Sequence, residues 1–238
     1  MSIKINYSNY SKDKTANAYT LFTKENFNTK YIVTFFSNSE ITYIQNILKK
    51  RDLKKKILSF DLNSKTKIIL IDIKNNLELS DIEYMGAEFF TFIKSNNIKE
   101  LSINPLSIQS KPENDFIGRF LHGFKLKAYE FNVYKAKKNK NEILINILGQ
   151  KNKITIKNEI KFKALEEGTN FARDLVSEPP NVLNPKEYVS RLLKLKRLGI
   201  KVTVYNEIQL EKLGMHSLLG VGRGSINESF LVTLEWYG

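Results

Sequence analysis

The sequence contains no cysteine among its 238 residues. This absence excludes disulfides, thiol nucleophiles and cysteine-based metal sites, and it is typical of proteins from a reducing cytoplasm. Histidine is scarce too, because His122 and His216 are the only two. No His-x-x-x-His or His-Glu pattern occurs, so we predict that each histidine is structural or exposed, and neither a metal ligand nor a general base.

Long hydrophobic runs are also missing. No apolar run is long enough to span a bilayer, and the N-terminal sequence "MSIKINYSNYSKDK" lacks the apolar core of a secretory signal. Hydrophobic residues still make up 42% of the chain. That share is sufficient for a buried core in one large domain or two ordinary ones. We therefore expect a cytoplasmic protein with no membrane partner.

Acidic residues are fewer than basic ones. The sequence has 25 Asp and Glu against 38 Lys and Arg, which gives a net charge of +13. A surplus of this size can attract nucleic acid. However, the charge is dispersed, and its densest runs are residues 49–56 and 135–142. We favour a solvated lysine-rich surface over a weak nucleic-acid site, because charge alone cannot read bases.

Short apolar segments alternate with amphipathic helices in residues 1–150, which is typical of an α/β domain with a parallel or mixed sheet. Ser37 with Glu40 predicts the start of the first helix, and Ser80 with Glu83 predicts the start of the second. Pro112 predicts the start of the third. The predicted strands are 31–36, 57–62, 67–73, 98–103, 128–134 and 142–148.

A polar break at residues 149–153 predicts a domain boundary, with an N-terminal αβ domain over 1–150 and the beginning of a second α/β/α domain over 151–238. The second part opens with a long helix that Pro179 and Pro180 end. The next helix begins at Asn184, followed by Pro185 at its first position.

Only two strands are predicted after residue 150, at 200–205 and 229–237. The last strand is apolar on both sides, which predicts a place in the middle of a covered sheet. Two strands do not make an independent sheet, so we expect the second domain to be incomplete.

The residues alone predict no catalytic, cofactor-binding or metal-binding side chain. Gly220–Ser225 (GVGRGS) lacks the Lys-Ser/Thr pair and the following helix of a phosphate loop, and we interpret it as a tight turn with positive φ. Three acidic residues lie on the long helix beside basic neighbours that can pair with them. These are Glu166, Glu167 and Asp174. Catalytic carboxylates need a converging geometry, and this pattern does not indicate one.

Three segments, in order, resemble the leucyl aminopeptidase (cytosol aminopeptidase) family. Residues 172–185 (ARDLVSEPPNVLNP) are similar to the helix and Asn-x-Pro-Pro-Asn turn of the family, with Ser177 in place of the usual Asn. Residues 210–238 resemble its LGM-x-x-(L/Y)-L-A-V-G-x-G-S block and the strand that follows. Residues 120–135 are similar to the segment that closes the N-terminal domain of the family, with Asn132 in place of Asp and two additional residues.

The resemblance implies an N-terminal αβ domain and the start of a metallopeptidase catalytic domain. Members of the family remove N-terminal amino acids from peptides with two divalent ions, Mn or Zn, and assemble as hexamers. The motifs that hold the ions follow the strand matching residues 229–237 in the family, and they do not occur in this sequence. We therefore expect no ion to bind this chain, and we expect the isolated chain to be inactive.

Three hypotheses remain open at this stage. The chain is the truncated N-terminal portion of a leucyl aminopeptidase, or a non-enzymatic basic αβ module that binds nucleic acid. The third hypothesis is an oligomerisation subunit whose apolar final strand is covered by a partner.

Overall fold

The computed structural model describes most of the chain, namely residues 2–8, 17–52, 55–74, 76–108, 115–136, 142–149 and 156–237. The chain forms two compact units, Met1–Asn170 and Phe171–Gly238. Most of the boundary predicted at 149–153 lies outside the described residues, so the two-domain division at that point stays a prediction.

The first unit contains a six-stranded mixed sheet. Its strands are β1 (Ser2–Ser8), β2 (Ala18–Thr23), β3 (Ile57–Asp61), β4 (Lys67–Asp72), β5 (Glu100–Asn104) and β6 (Glu142–Leu148). The order across the sheet is β1-β6-β5-β2-β4-β3. Neighbouring strands are parallel except for β3 and β4, which are antiparallel. The α/β class and mixed sheet predicted from the sequence are thereby confirmed.

Seven α-helices connect and cover the strands in the described part of the chain. They are α1 (Asn38–Leu48), α2 (Leu79–Ser95), α3 (Phe116–Ala128), α4 (Ile156–Ser177), α5 (Pro185–Leu193), α6 (Glu207–Lys212) and α7 (His216–Gly222). Short 3₁₀ segments occur at Thr29–Tyr31, Val33–Phe35, Pro105–Ser107 and Lys194–Leu198.

Two apolar clusters fill the space between the sheet and its helices. On one face α2 and α3 pack against β2, β4, β5 and β6, and the rings of Phe22 and Phe120 meet edge to face with centroids 5.4 Å apart. On the other face Ile44 and Leu48 of α1 pack against β2, β3 and β4. Every residue of β2 is buried, as expected for a central strand that is covered on both sides.

Local capping signals located several helix starts correctly. The backbone N–H of Ser37 donates to Glu40 Oε2 at 2.8 Å, and the Glu40 N–H donates to Ser37 Oγ, so the predicted capping box of α1 is confirmed. In the second unit the Glu187 N–H donates to Asn184 Oδ1 at 3.0 Å, which confirms the predicted start of α5.

The second helix begins earlier than predicted. Its capping box uses Glu78 and Asp81, and the Glu78 N–H donates to Asp81 Oδ2 at 3.1 Å. Ser80 lies inside the helix, so the prediction of Ser80 as the cap was wrong. Pro112, predicted to open the third helix, lies outside the described residues, and α3 begins at Phe116.

Two predicted strands are absent from the described residues, and two observed strands were not predicted. Residues 31–36 form 3₁₀ turns, which follow three left-handed residues at the end of β2, Glu25, Asn26 and Phe27. Residues 128–134 continue from α3 into a turn, where Glu130 accepts a hydrogen bond from Asn132 Nδ2 at 3.0 Å. The missed strands are β1 and β2, whose mixed polar and apolar sequences gain their stability from distant parallel partners.

The second unit contains one antiparallel pair of strands, β7 (Lys201–Tyr205) and β8 (Leu231–Glu235), in its described residues. The turn predicted at Gly220–Ser225 is confirmed only at its end, where the Ser225 N–H donates to the Gly222 carbonyl oxygen at 2.9 Å, because α7 extends to Gly222. The positive φ predicted there is wrong, since none of Gly220, Gly222 and Gly224 has one. β8 is not buried in the middle of a sheet as predicted. Leu234 is 49% exposed, since no third strand pairs with β8 among the described residues.

Close contact between α2 and α3 depends on two helical glycines. A Cβ atom at Gly86 would lie 1.9 Å from the Phe120 carbonyl oxygen, and one at Gly123 would lie 1.8 Å from the Glu83 carbonyl oxygen. Both obstacles are backbone atoms, which cannot rotate away. The separation of the two helices is therefore set by these two positions.

We predict that Gly86→Ala and Gly123→Ala each lower the free energy of unfolding by about 1–3 kcal/mol, because the helices must separate. Urea unfolding followed by circular dichroism measures the effect. The matched control is Gly168→Ala on α4, where no atom lies within 4 Å of the added Cβ. It should stabilise the helix by about 0.5–1 kcal/mol. Equal effects at Gly86 and Gly168 would contradict this account of the packing.

Candidate functional site

The carboxylates and the second histidine singled out in the sequence do not converge in the structure. His216 begins α7, and its Nδ1 lies 3.5 Å from Glu211 Oε1 at the surface. Glu166 pairs with Lys125 at 3.0 Å, whereas Glu167 is exposed and lies 3.9 Å from Lys163 Nζ. Glu166 and Glu167 are thus each near a basic neighbour, as in ordinary surface pairing, and Asp174 is half-buried on α4.

The described residues do not fit a metal centre. Over those parts of the chain, no group of three or more His, Asp or Glu side chains is close enough to hold an ion. A two-metal centre requires several convergent oxygen donors. The donors of such a centre are therefore not supplied by the described residues, and we derive no catalytic step from them.

A cleft of about 230 Å³ lies among β1, α3 and α4 in the first unit. Its walls come from alternate residues of β1 and from one face of each helix. We name it the α3–α4 cleft. From β1 it is lined by Ile3, Ile5 and Tyr7, from α3 by Gly118, Leu121, His122 and Lys125, and from α4 by Glu159, Phe162, Lys163 and Glu166.

One aromatic side chain anchors α4 beside α3. Phe162 is 8% exposed and lies against Gly118, where an added Cβ would approach its Cε2 atom to 2.4 Å. Its ring centroid is 5.6 Å from that of His122. The guanidinium carbon of Arg119 lies 5.9 Å from the same ring. The first half of α4 is therefore positioned by a ring that fits where α3 has no side chain.

His122 is 7% exposed and lines the cleft. Its Nδ1 is enclosed and has no hydrogen-bond partner among the described residues. Burial lowers the pKa of His122 below its usual value of 6.5, and the carboxylates of Glu83 and Glu166 oppose this effect only in part. The ring is therefore neutral at pH 7, with one nitrogen as donor and the other as acceptor.

The charges around the cleft are balanced. Lys125 and Glu166 form a half-buried pair, and among the described residues Lys163 makes one long contact, to Glu167. Burial raises the pKa of Tyr7, and the nearby carboxylate of Glu159 raises it further. The cleft thus combines an apolar floor with two acidic and two basic side chains.

This cleft was not predicted from the sequence. The residues of α3 recur at intervals of three and four, as do those of α4, so each helical face was visible in the sequence. What the sequence did not reveal was which two faces meet, because Gly118 and Phe162 are distant along the chain.

The lysine-rich runs that motivated the nucleic-acid hypothesis are only partly described, and Lys56 of the first run pairs with Glu88 at 3.4 Å.

Exposed apolar side chains are concentrated in the second unit. Trp236 is 67% exposed, Tyr237 78% and Val221 87%, and Leu234 of β8 is also exposed. Single exposed apolar residues are normal. Val221 lies on α7, whereas Leu234, Trp236 and Tyr237 lie on β8 or directly after it. No helix within the described ranges is long and apolar enough to cross a membrane.

The amino-acid sequence matches a known family in its second part. Residues 170–238 match the model of the cytosol aminopeptidase family, catalytic domain. The probable cytosol aminopeptidase of Caulobacter vibrioides is 33% identical over 175 residues, which cover 72% of this chain and 34% of that protein. The corresponding protein of Phytoplasma australiense is 31% identical over 163 residues, covering 68% of this chain and 33% of that protein.

Solved structures extend the similarity to the fold of almost the whole chain. A mutant of tomato leucine aminopeptidase matches with a TM-score of 0.73 at 15% identity, covering 98% of this chain and 51% of that one. The bottromycin maturation enzyme BotP in complex with Mn matches with a TM-score of 0.66 at 17% identity, covering 92% of this chain and 45% of that one. This chain spans about a third of the length of the curated relatives it matches. The family resemblance inferred from the sequence is confirmed.

We predict that His122 makes folding pH-dependent. Its pKa is lower in the folded than in the unfolded chain, so protonation favours unfolding. Its contribution to stability is complete above the unfolded pKa of about 6.5 and is lost as pH falls below that value towards the folded pKa. Urea unfolding at several pH values between about 7.5 and 5 should therefore show a slope that His122→Phe removes.

The control for this experiment is His216→Phe, because His216 is exposed and is the only other histidine. It should leave the slope unchanged. If both variants show the same pH dependence of the free energy of unfolding as the unchanged chain, His122 is not the source of that dependence.

Proposed function

We propose that this chain, which is related to the cytosol aminopeptidase family, supplies the N-terminal domain and the first part of the catalytic domain of a leucyl aminopeptidase. The reaction is the hydrolytic release of N-terminal amino acids from peptides. The observation that carries the proposal is the match of residues 170–238 to the catalytic-domain model of the family. Similarity of fold to tomato leucine aminopeptidase over 98% of the chain supports it.

The proposed enzyme uses two divalent ions, Mn or Zn, to polarise the peptide carbonyl and activate a water molecule. This part of the proposal rests on the family resemblance, since the described residues do not provide the donors. The chain itself contributes scaffold: a covered α/β domain, the connecting helix α4, and the first strand pair of the catalytic domain. Two further features are proposed on the same basis, namely location in the cytoplasm and assembly as a hexamer.

Nucleic-acid binding is not proposed. The proteins that this chain resembles are named as aminopeptidases. The net charge of +13 is compatible with a solvated surface.

We predict that the purified chain does not hydrolyse leucine p-nitroanilide when Mn²⁺ is added, because the described residues do not provide the donors for two ions. The assay is the release of p-nitroaniline followed by absorbance, with and without a chelator. Activity of the isolated chain that a chelator abolishes would contradict the scaffold assignment.

A chimera tests the family assignment positively. In it, this chain replaces the corresponding N-terminal third of the Caulobacter vibrioides relative. We expect a folded, chelator-sensitive aminopeptidase. The matched control carries Gly123→Val within the same chimera, which pushes a side chain into the Glu83 backbone and should reduce folded yield and activity together. A well-folded chimera without aminopeptidase activity would count against the proposed function.

A further inference from the structure

The α3–α4 cleft contains polar groups whose bonding capacity is unused. His122 is almost completely buried, yet its enclosed Nδ1 has no partner among the described residues. A buried polar atom without a partner costs about 1–3 kcal/mol unless water or a ligand satisfies it. The ring lies in the wall of an open cleft, so a molecule entering that cleft would contact it.

The floor of the cleft is apolar and incompletely covered. Ile3 and Ile5 point from β1 towards the core but remain partly exposed, because β1 is an edge strand of the sheet. Leu121 and Phe162 complete this floor from the two helices. A branched aliphatic side chain placed against these four residues would remove apolar surface from water.

Opposite charges lie next to this floor on a single helix. Glu159 and Lys163 both line the cleft and are one turn apart on α4, which is a rise of about 6 Å. They form no ion pair with each other, although this order and spacing would allow one. Instead, Lys163 makes an exposed contact of 3.9 Å to Glu167, and such contacts contribute little.

We propose that the α3–α4 cleft binds a free α-amino acid with a branched aliphatic side chain. The ammonium group of the ligand pairs with Glu159, its carboxylate pairs with Lys163, and its side chain packs on Ile3, Ile5 and Phe162. The ring of His122 lies in the wall of the cleft beside the ligand. A volume of about 230 Å³ accommodates a molecule of this size.

The balance of charges argues against other ligands. A phosphate group would meet the carboxylates of Glu159 and Glu166, and a divalent ion would meet the ammonium groups of Lys125 and Lys163. A zwitterionic amino acid carries one ammonium group and one carboxylate, so it can pair with an acidic and with a basic side chain of the cleft.

This site does not depend on the proposed function, since binding is measured on the chain alone and requires no catalysis.

The test uses the complete 238-residue chain with isoleucine methyl groups labelled for NMR, and L-leucine as the probe. We expect leucine to shift the methyl signals of Ile3 and Ile5 and to raise the melting temperature. Three analogues each lack one element of the ligand: 4-methylpentanoate lacks the ammonium group, 3-methylbutylamine lacks the carboxylate, and glycine lacks the side chain. Each should bind at least about tenfold more weakly than leucine.

Matched variants locate the site. Glu159→Gln should weaken leucine binding at least about tenfold, whereas Glu167→Gln, one residue outside the cleft lining on the same helix, should change it less than about twofold. Ile5→Trp should fill the cleft and abolish the methyl shift at Ile3. Glu159 is exposed and forms no ion pair with another residue that the structure describes, so Glu159→Gln should fold, and it decides the question if Ile5→Trp does not fold.

The proposal is overturned if leucine leaves the Ile3 and Ile5 signals unchanged at millimolar concentration. It is also overturned if Glu159→Gln and Glu167→Gln bind leucine equally well, or if glycine binds as tightly as leucine. These results would leave the aminopeptidase assignment untouched, because that assignment is tested by the activity of the chimera.

Discussion

Burial of the central strand β2 on both faces is the constraint on which the architecture of the first unit depends. All six residues of β2 are inaccessible, so helices must cover the sheet on both sides. α1 provides one cover, and α2 and α3 provide the other. α2 and α3 pack closely because Gly86 and Gly123 allow the backbone of each helix to approach the backbone of the other.

One face of α3 packs closely on α2, and its opposite face borders the α3–α4 cleft. The face of α3 that carries Gly118 and His122 points to α4 and to the edge strand β1. At this face α4 contacts α3 through the ring of Phe162, which charged side chains surround. The contact leaves a cleft beside the ring. A densely packed helix pair thus stands beside a loosely packed one, and the enclosed Nδ1 of His122 lies at the loosely packed pair.

The features predicted correctly from the sequence are those with local causes. Ser37 and Asn184 cap helices through bonds to residues three positions away, so the sequence alone contains the whole interaction. The failures have non-local causes. β1 pairs with β6 across the length of the first unit, residues 31–36 are turned by the left-handed residues before them, and the cleft requires Gly118 to meet Phe162. β8 was predicted to be covered on both sides, but among the described residues its one partner strand is β7.

We propose that a covered α/β unit precedes the first part of a catalytic domain in this chain. Hydrogen–deuterium exchange of the purified chain tests this most directly. The account predicts slow exchange for the amides of β2, β4 and β5, whose ladders are covered on both faces, and fast exchange for β7 and β8, whose apolar side chains are partly open to water. Protection of β7 and β8 equal to that of β2 would contradict it.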